Sequence, residues 1–219
     1  MQIPSKAKTQ RGRDRVEELL TQAIDIFIEN GYAGTSIDEV IRRAGGSRST
    51  VYQNYGSKEG LFLAALQHMA DGIYEAYMKR YRHGLTLEED LRTYADIMLT
   101  ALTEPKALGA QRLIYAETTR IPKIGRWFFR EGVQNCYESF ARVLANHIDA
   151  PRESLIDTAA RFTEMFRAPT TLRMLCDPSW APSREDILRE VNASVRLTMA
   201  AIGKLYAGHF IADPPQPSH

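Results

Sequence analysis

Little in this chain is suited to holding a metal, closing a disulfide or crossing a membrane. Only two of its 219 residues are cysteine, Cys136 and Cys176. That is too few for a disulfide scaffold, the two are not at metal-ligand spacing, and neither carries the flanking motif of a redox sensor, so both are expected as interior thiols. The five histidines, His68, His83, His147, His209 and His219, stand far apart with no His-x-x-x-His pair, and each reads as an ordinary core or surface histidine. No stretch approaches the roughly 18 apolar residues of a membrane span, and the basic N-terminus is not followed by the apolar core of a secretory signal, so a cytoplasmic location without a membrane partner is expected. There is no Gly-rich phosphate loop and no poised nucleophile or acid–base constellation; Glu88-Glu89-Asp90 reads as the acidic first turn of a helix. Hence no enzyme, no metal and no cofactor is expected. Strand-like alternation and internal repeats are missing as well, which points to an all-α fold.

Charge of one sign is not in excess either, with 28 Lys and Arg against 27 Asp and Glu. The imbalance is local. Residues 1–13, with Lys6, Lys8, Arg11 and Arg13, are expected as a disordered basic arm suited to phosphate or minor-groove contact. Glu17, Glu18, Asp25 and Glu29 on the following helix cancel that arm and Arg42, Arg43 and Arg48 in the total.

That helix is marked by Val16, Leu19, Leu20, Ala23, Ile24, Phe27 and Ile28, recurring every three or four residues between Asp14 and Asn30, and Gly31 stops it. Thr35 or Ser36 can cap the next, with Asp38 or Glu39 three residues on to reciprocate; Ile37, Val40, Ile41 and Ala44 are its buried stripe. Gly45 and Gly46 then break it, and Ser47 can cap a third helix at once. Two short amphipathic helices joined by a tight turn are the helix-turn-helix arrangement. On the third helix Val51 and Tyr55 should pack inward, which leaves Arg48, Ser49, Thr50, Tyr52, Gln53 and Asn54 outside or at the edge. Such side chains can offer Arg to guanine, an amide to adenine and a Thr methyl to thymine in a major groove, whereas a face made only for solubility would favour the Glu and Lys that are absent here. A fourth helix follows Gly56, capped by Ser57 without a full capping box, since Gly60 offers no carboxylate. Lys58 in its first turn is placed to meet a phosphate, as is Thr35 at its own helix start.

The stretch from Ala23 through Phe62, with Phe27, Gly31, Tyr32, Thr35, Ile37, Ala44-Gly45, Ser47, Thr50-Val51-Tyr52, Tyr55, Ser57-Lys58-Glu59 and Leu61-Phe62, resembles the DNA-binding domain of the TetR family of bacterial transcriptional repressors. The resemblance covers about a fifth of the chain. It implies that Tyr52 and Lys58 touch the phosphate backbone and that the residues from Arg48 to Asn54 meet bases. The family usually has a branched apolar residue where Gly46 stands, a departure that costs stiffness between the second and third helices.

The helix-turn-helix domain is thus expected over residues 14–56, with a larger helical domain over 57–212 and a disordered Pro-rich tail over 213–219, making about nine helices in all. The fourth helix continues its stripe through Leu61, Phe62, Ala65, Leu66, Met69, Ile73, Ala76 and Tyr77 almost to Tyr81. Thr86 with Glu89 forms a capping box for a helix that stops near Pro105; further helices are expected from Ala107 to Thr119, from Pro122 to about Ile148 with Phe128, Phe129, Val133, Tyr137, Phe140, Val143, Leu144 and Ile148 as its apolar stripe, from Pro151 until just before Pro169, and from Ser183 to Tyr206. The segment from Pro169 to Pro178 is expected as a linker.

A module with one recognition helix usually acts as a two-fold dimer, so a homodimer through the last two long helices, roughly 152–167 and 184–206, is expected on a palindromic double-stranded operator; Ala193, Met199, Ala200 and Ala201 offer small or flexible surface for close approach. The resemblance implies the same arrangement, and a small-molecule effector held among the middle helices. Met69, Tyr94, Met98, Leu102, Leu113, Tyr115, Trp127, Phe128, Tyr137, Phe140 and Phe162 are the candidate lining, with Met, Tyr and Trp suited to an adaptable apolar cavity for a small apolar or aromatic ligand. The expected function is a ligand-responsive, sequence-specific transcriptional repressor. An activator of the same fold and an architectural DNA-binding protein are the alternatives, the latter disfavoured because it needs mainly Lys and Arg rather than a varied polar face.

Overall fold

The computed structural model describes residues 10–80 and 85–211. They form α1 (Gln10–Gly34), α2 (Ile37–Ala44), α3 (Arg48–Tyr55), α4 (Lys58–Arg80), α5 (Leu87–Leu102), α6 (Pro105–Thr118), α7 (Pro122–Trp127), a π segment (Phe128–Gln134), α8 (Asn135–Leu144), α9 (Arg152–Cys176) and α10 (Arg184–Leu205). Taking the run from Pro122 to Leu144 as one interrupted helix, the described residues make nine helices and no strand beyond a single antiparallel bridge between Ile148 and Phe210. None of the described helices is long and apolar enough to cross a membrane. Residues 1–9 of the basic arm, His83 and the tail from 213 lie outside the described residues. α1 begins at Gln10, so Arg11 and Arg13 stand on its first turn rather than ahead of it.

Caps set most of these limits. Ser36, Ser47, Thr86 and Ser183 each precede a helix in extended conformation and accept a hydrogen bond from the backbone N–H three residues on. At Thr86 and Ser183 the box is reciprocal, closed by Glu89 and Asp186. The Ser183 hydroxyl, its backbone N–H and Arg189 together hold the Asp186 carboxyl down at about 2. Glu39 does not close a box on Ser36, because its carboxylate accepts from Asn30 Nδ2 at 3.1 Å.

Contacts divide the chain into two compact units. The first comprises residues up to Gly72 together with Gly109–Gly132. Its core joins Leu20, Ile24 and Phe27 of α1 to Val40, Val51, Tyr55, Leu61 and Phe62, and to Ile114 and Ile124. The helix-turn-helix expected over residues 14–56 lies inside this unit, which also takes the start of α4. The second comprises Ile73–Leu108 and the chain from Val133 on. There Tyr94 stacks on Phe140 with ring centres 4.0 Å apart, and Phe162 and Phe166 extend the aromatic cluster at 5.3 Å from Phe140 and 6.2 Å from Tyr94. α5, α8, α9 and α10 supply this core.

Three further expectations are corrected. The segment after Pro169 is no linker, for α9 continues through it to Cys176. Proline removes the N–H that would reach back to Met165, which weakens a helix but does not end one whose far side is anchored. Here Thr170, Thr171 and Met174 are buried beyond it, and Thr171 Oγ1 donates to the Arg167 carbonyl at 2.9 Å. Phe129, expected on the apolar stripe, is 57% exposed, because the wide π turn shifts the 3.6-residue phase. Cys176 is exposed at the end of α9, not interior; Cys136 is half-buried, and burial pushes its thiol up.

Candidate DNA interface

α3 is eight residues long and is anchored by two of them. Val51 and Tyr55 are buried in the first unit's core, so α3 turns its other side outward. Arg48, Ser49, Thr50, Tyr52 and Gln53 are exposed and Asn54 is half-exposed, with Tyr52 at 52%. An exposed tyrosine beside an arginine and an amide is a surface able to read and grip a duplex. Ser47 is also exposed, but its hydroxyl is engaged, accepting from the Thr50 N–H at 3.1 Å and lying 2.9 Å from Thr50 Oγ1.

The turn before α3 has both glycines at positive φ, Gly45 at 76° and Gly46 at 104°. A branched residue in the second place would be strained at this backbone conformation, which Gly46 adopts freely. Nothing lies within 4 Å of where a Cβ would stand at either position, so the turn is not wedged from outside. An ion pair spans it instead: Arg48, first residue of α3, makes a two-pronged pair with Asp38 in the first turn of α2, through Nε to Oδ1 and Nη2 to Oδ2. The hydrogen-bonded guanidinium holds the Asp38 carboxyl below its ordinary range, and the carboxylate raises the arginine in turn. A second pair, Arg43 Nη2 to Glu29 Oε2 at 2.6 Å, ties α2 to α1. Neither partner was legible as such in the sequence, since spacings of ten and fourteen residues across a turn follow from the packing of helices and not from one helix's periodicity.

Two sequence-derived candidates have partners within the module, Thr35 buried and Lys58 half-buried. Thr35 is 3% exposed; its hydroxyl donates to the Gly31 carbonyl at 2.9 Å, with the Ile26 carbonyl 3.3 Å away to share the same hydrogen. Lys58 sends its ammonium to the Tyr32 carbonyl at 2.7 Å, that of Thr35 at 2.9 Å and that of Ala33 at 3.4 Å, and stands 4.6 Å from the centre of the Tyr32 ring. Three N–H bonds meet three carbonyls left bare where α1 ends, an arrangement of cation and helix C-terminus that the dipole favours. Desolvation, and then the nearby Arg120 charge, lower the lysine below its usual range, with Glu117 opposing. Lys58→Met is expected to destabilise the first unit by about 1.5–3 kcal/mol, the ordinary worth of hydrogen bonds to a charged group, read by urea denaturation. It should leave the slope of log affinity against log salt unchanged for duplex DNA; a slope reduced by about 1 would assign Lys58 to a phosphate.

The residues expected to line an effector cavity fall in both units. Tyr94, Met98, Phe140 and Phe162 are buried in the second, where Leu102 and Tyr137 are half-buried. Leu113 and Trp127 are buried in the first, Met69 and Phe128 half-buried there, and Tyr115 is exposed. Tyr137 donates to Glu164 Oε1 at 2.7 Å, and desolvation ahead of that carboxylate raises its hydroxyl far above the ordinary range, keeping it a donor. Glu164 is paired in turn with Arg167. His147 lies 2.7 Å from Asp90 and His68 3.3 Å from Thr21, so both histidines have protein partners.

Comparisons agree with this geometry. Residues 19–65 match the family profile of bacterial regulatory proteins of the tetR family, and residues 89–204 match that of the AefR-like transcriptional repressor C-terminal domain. The helix-turn-helix regulator YezE of Bacillus subtilis is 31% identical over 119 residues, 53% of this chain and 61% of YezE. The transcriptional activator FasR of Mycolicibacterium smegmatis is 38% identical over 60 residues, 27% of either protein. The chain therefore covers less than two thirds of these curated relatives. Among solved structures, a TetR-family regulator from Mesorhizobium loti superposes with a TM-score of 0.75 at 24% identity over 89% of this chain and 98% of that one. The flavonoid-responsive regulator FrrA does so at 0.66 and 22% over 86% and 97%; likenesses at these identities show the fold. With the C-terminal profile alone matching more than half of its 219 residues and the helix-turn-helix profile falling on the module just described, the chain belongs to the TetR family of bacterial DNA-binding transcriptional regulators.

Proposed function

We propose that the chain is an effector-responsive repressor that binds a palindromic operator as a homodimer. The observation that carries this reading is the exposed face of α3, where Arg48, Ser49, Thr50, Tyr52 and Gln53 stand free of the core that holds Val51 and Tyr55. One eight-residue helix reaches too few base edges for tight sequence-specific binding, so two copies must bind together on paired half-sites. α10 offers the surface for that pairing. Leu197, Ala201 and Leu205 follow one another at four-residue spacing on its exposed side, the two leucines at 61% and 69%, and Leu172 of α9 is exposed at 61%. Leucines in such a stripe are ordinarily covered by a partner, and a two-fold pairing covers both copies with one patch.

The match to a repressor C-terminal domain favours repression, while the activator FasR supports the opposite sign as the second reading. The sign is set by where the operator lies relative to the promoter, so transcription from a target promoter with and without the protein decides it. For the effector, the aromatic cluster of Tyr94, Phe140 and Phe162 with Met98 suits a small apolar or aromatic compound, as does the likeness to a flavonoid-responsive regulator. Such a ligand needs only to favour a half-site spacing wrong for DNA; a preference of a few kcal/mol between the two states releases the operator.

Selection of bound fragments from random duplexes at physiological salt, followed by titration of the enriched duplex, tests the reading. The expected outcome is a palindrome bound by two chains, with Tyr52→Ala weakening it at least about ten-fold. Enrichment of no sequence, with weak salt-sensitive binding alone, would replace it by an architectural role.

A further inference from the structure

A guanidinium has five N–H donors in one plane, and the way Asp38 holds Arg48 divides them. The carboxylate takes the side edge, the Nε–H and one hydrogen of Nη2. That leaves the end edge, one hydrogen on Nη1 and one on Nη2, directed away from Asp38 as a parallel pair. A parallel pair of this kind matches the O6 and N7 acceptors of a guanine in the major groove. The arginine is first in α3 and its side chain is 70% exposed, so without the carboxylate its several rotors would be free. The turn behind it does not wedge it in place either, since Gly45 and Gly46 are both at positive φ and nothing lies within 4 Å of where a Cβ would stand at either.

We propose that Asp38 is a specificity-determining positioning residue, which holds the Arg48 guanidinium side-on so that its end edge reads one guanine in each operator half-site. The inference rests on α3 being the base-reading helix. A second effect follows from charge. Asp38 is itself exposed and negative, so it repels phosphate and lowers affinity for DNA of any sequence, while the buttressed arginine raises affinity for the right one. Specificity is the ratio of the two, and Asp38 acts on both.

The experiment compares wild type, Asp38→Asn, Asp38→Glu and Arg48→Ala by fragment selection and by titration against the selected duplex and a random one. Asn removes the charge and cannot accept from both nitrogens, so Asp38→Asn is expected to bind random duplex as tightly as wild type or tighter. Its ratio of specific to random affinity should fall about ten-fold, in the range one bidentate base contact supplies. The lost preference should be confined to one guanine per half-site, the same position that Arg48→Ala relaxes. Glu keeps the charge and the two acceptors, and should restore most of the ratio. An Asp38→Asn protein whose ratio is unchanged, or whose preference weakens evenly at all positions, overturns the proposal while leaving the regulator reading intact. Failure of the wild-type protein to enrich any sequence overturns both.

Discussion

Gly60→Ala is expected to abolish operator binding and to lower the stability of the first unit by about 3 kcal/mol or more, at the upper end of what overpacking costs. A Cβ built on Gly60 stands 1.9 Å from the Tyr55 carbonyl oxygen and 3.0 Å from its carbon. Both are backbone atoms at the end of α3, so no rotamer change relieves the clash. The start of α4 and the end of α3 can touch only because residue 60 has no side chain, and its N–H is turned to the Ser57 hydroxyl at 3.0 Å. To accept a methyl, α3 would have to move against its own anchors, Val51 and Tyr55. Gly72→Ala in the same helix is the control. Nothing lies within 4 Å of its Cβ position, and it is exposed, so the better helix propensity of alanine should raise stability by up to about 1 kcal/mol. Guanidinium melts of the two variants, with titration of the selected duplex, check this. If Gly60→Ala melts alongside Gly72→Ala and still binds the operator, the close approach is not what joins α3 to α4.

The absence of a carboxylate at residue 60 was visible in the sequence as a missing capping box, but its reason was not. That difference runs through the molecule. Caps are local: Ser36, Ser47, Thr86 and Ser183 each satisfy an N–H three residues on, so a four-residue window contains all the physics. The exposed face of α3 is nearly as local, because Val51 and Tyr55 fix which side is inward. Lys58 and Thr35 show where such reading ends. Both stand at helix starts in the sequence, which suits a phosphate contact, yet the carbonyls that take the Lys58 ammonium lie 23 to 26 residues earlier. Pro169 is a related case. A proline's local effect is to weaken a helix, and only the burial of Thr170, Thr171 and Met174 overrides it. The π turn at Phe128–Gln134 adds a residue to one turn without any change in composition, so a periodic reading runs on in the wrong phase and puts Phe129 inside.

Phe27→Ala should lower the stability of the first unit by about 3–5 kcal/mol, the loss that accompanies removal of a fully buried phenyl ring. Phe27 is wholly buried, with its ring centre 4.8 Å from that of Phe62 and 5.8 Å from that of Tyr32, and Tyr32 meets Phe62 edge-on at 5.5 Å. Three rings from α1 and α4 thus touch one another, and such pairs stabilise beyond the area they bury. The effect should also reach the DNA-binding function. Tyr32 carries both the carbonyl and the ring face that hold Lys58, and the same ammonium fixes Thr35, which immediately precedes the α2 cap Ser36. A Tyr32 ring freed on one side loosens that grip, and α2 carries Asp38 and α3 behind it. Phe27→Leu keeps an apolar side chain in place and should lose less than half as much stability. Urea melts of both variants, with operator titration at a temperature where each is still folded, separate the two consequences. A loss below about 1.5 kcal/mol for Phe27→Ala would mean that the space collapses onto Phe62 and Tyr32, and the module would then owe its shape to the lysine and its carbonyls rather than to the ring cluster.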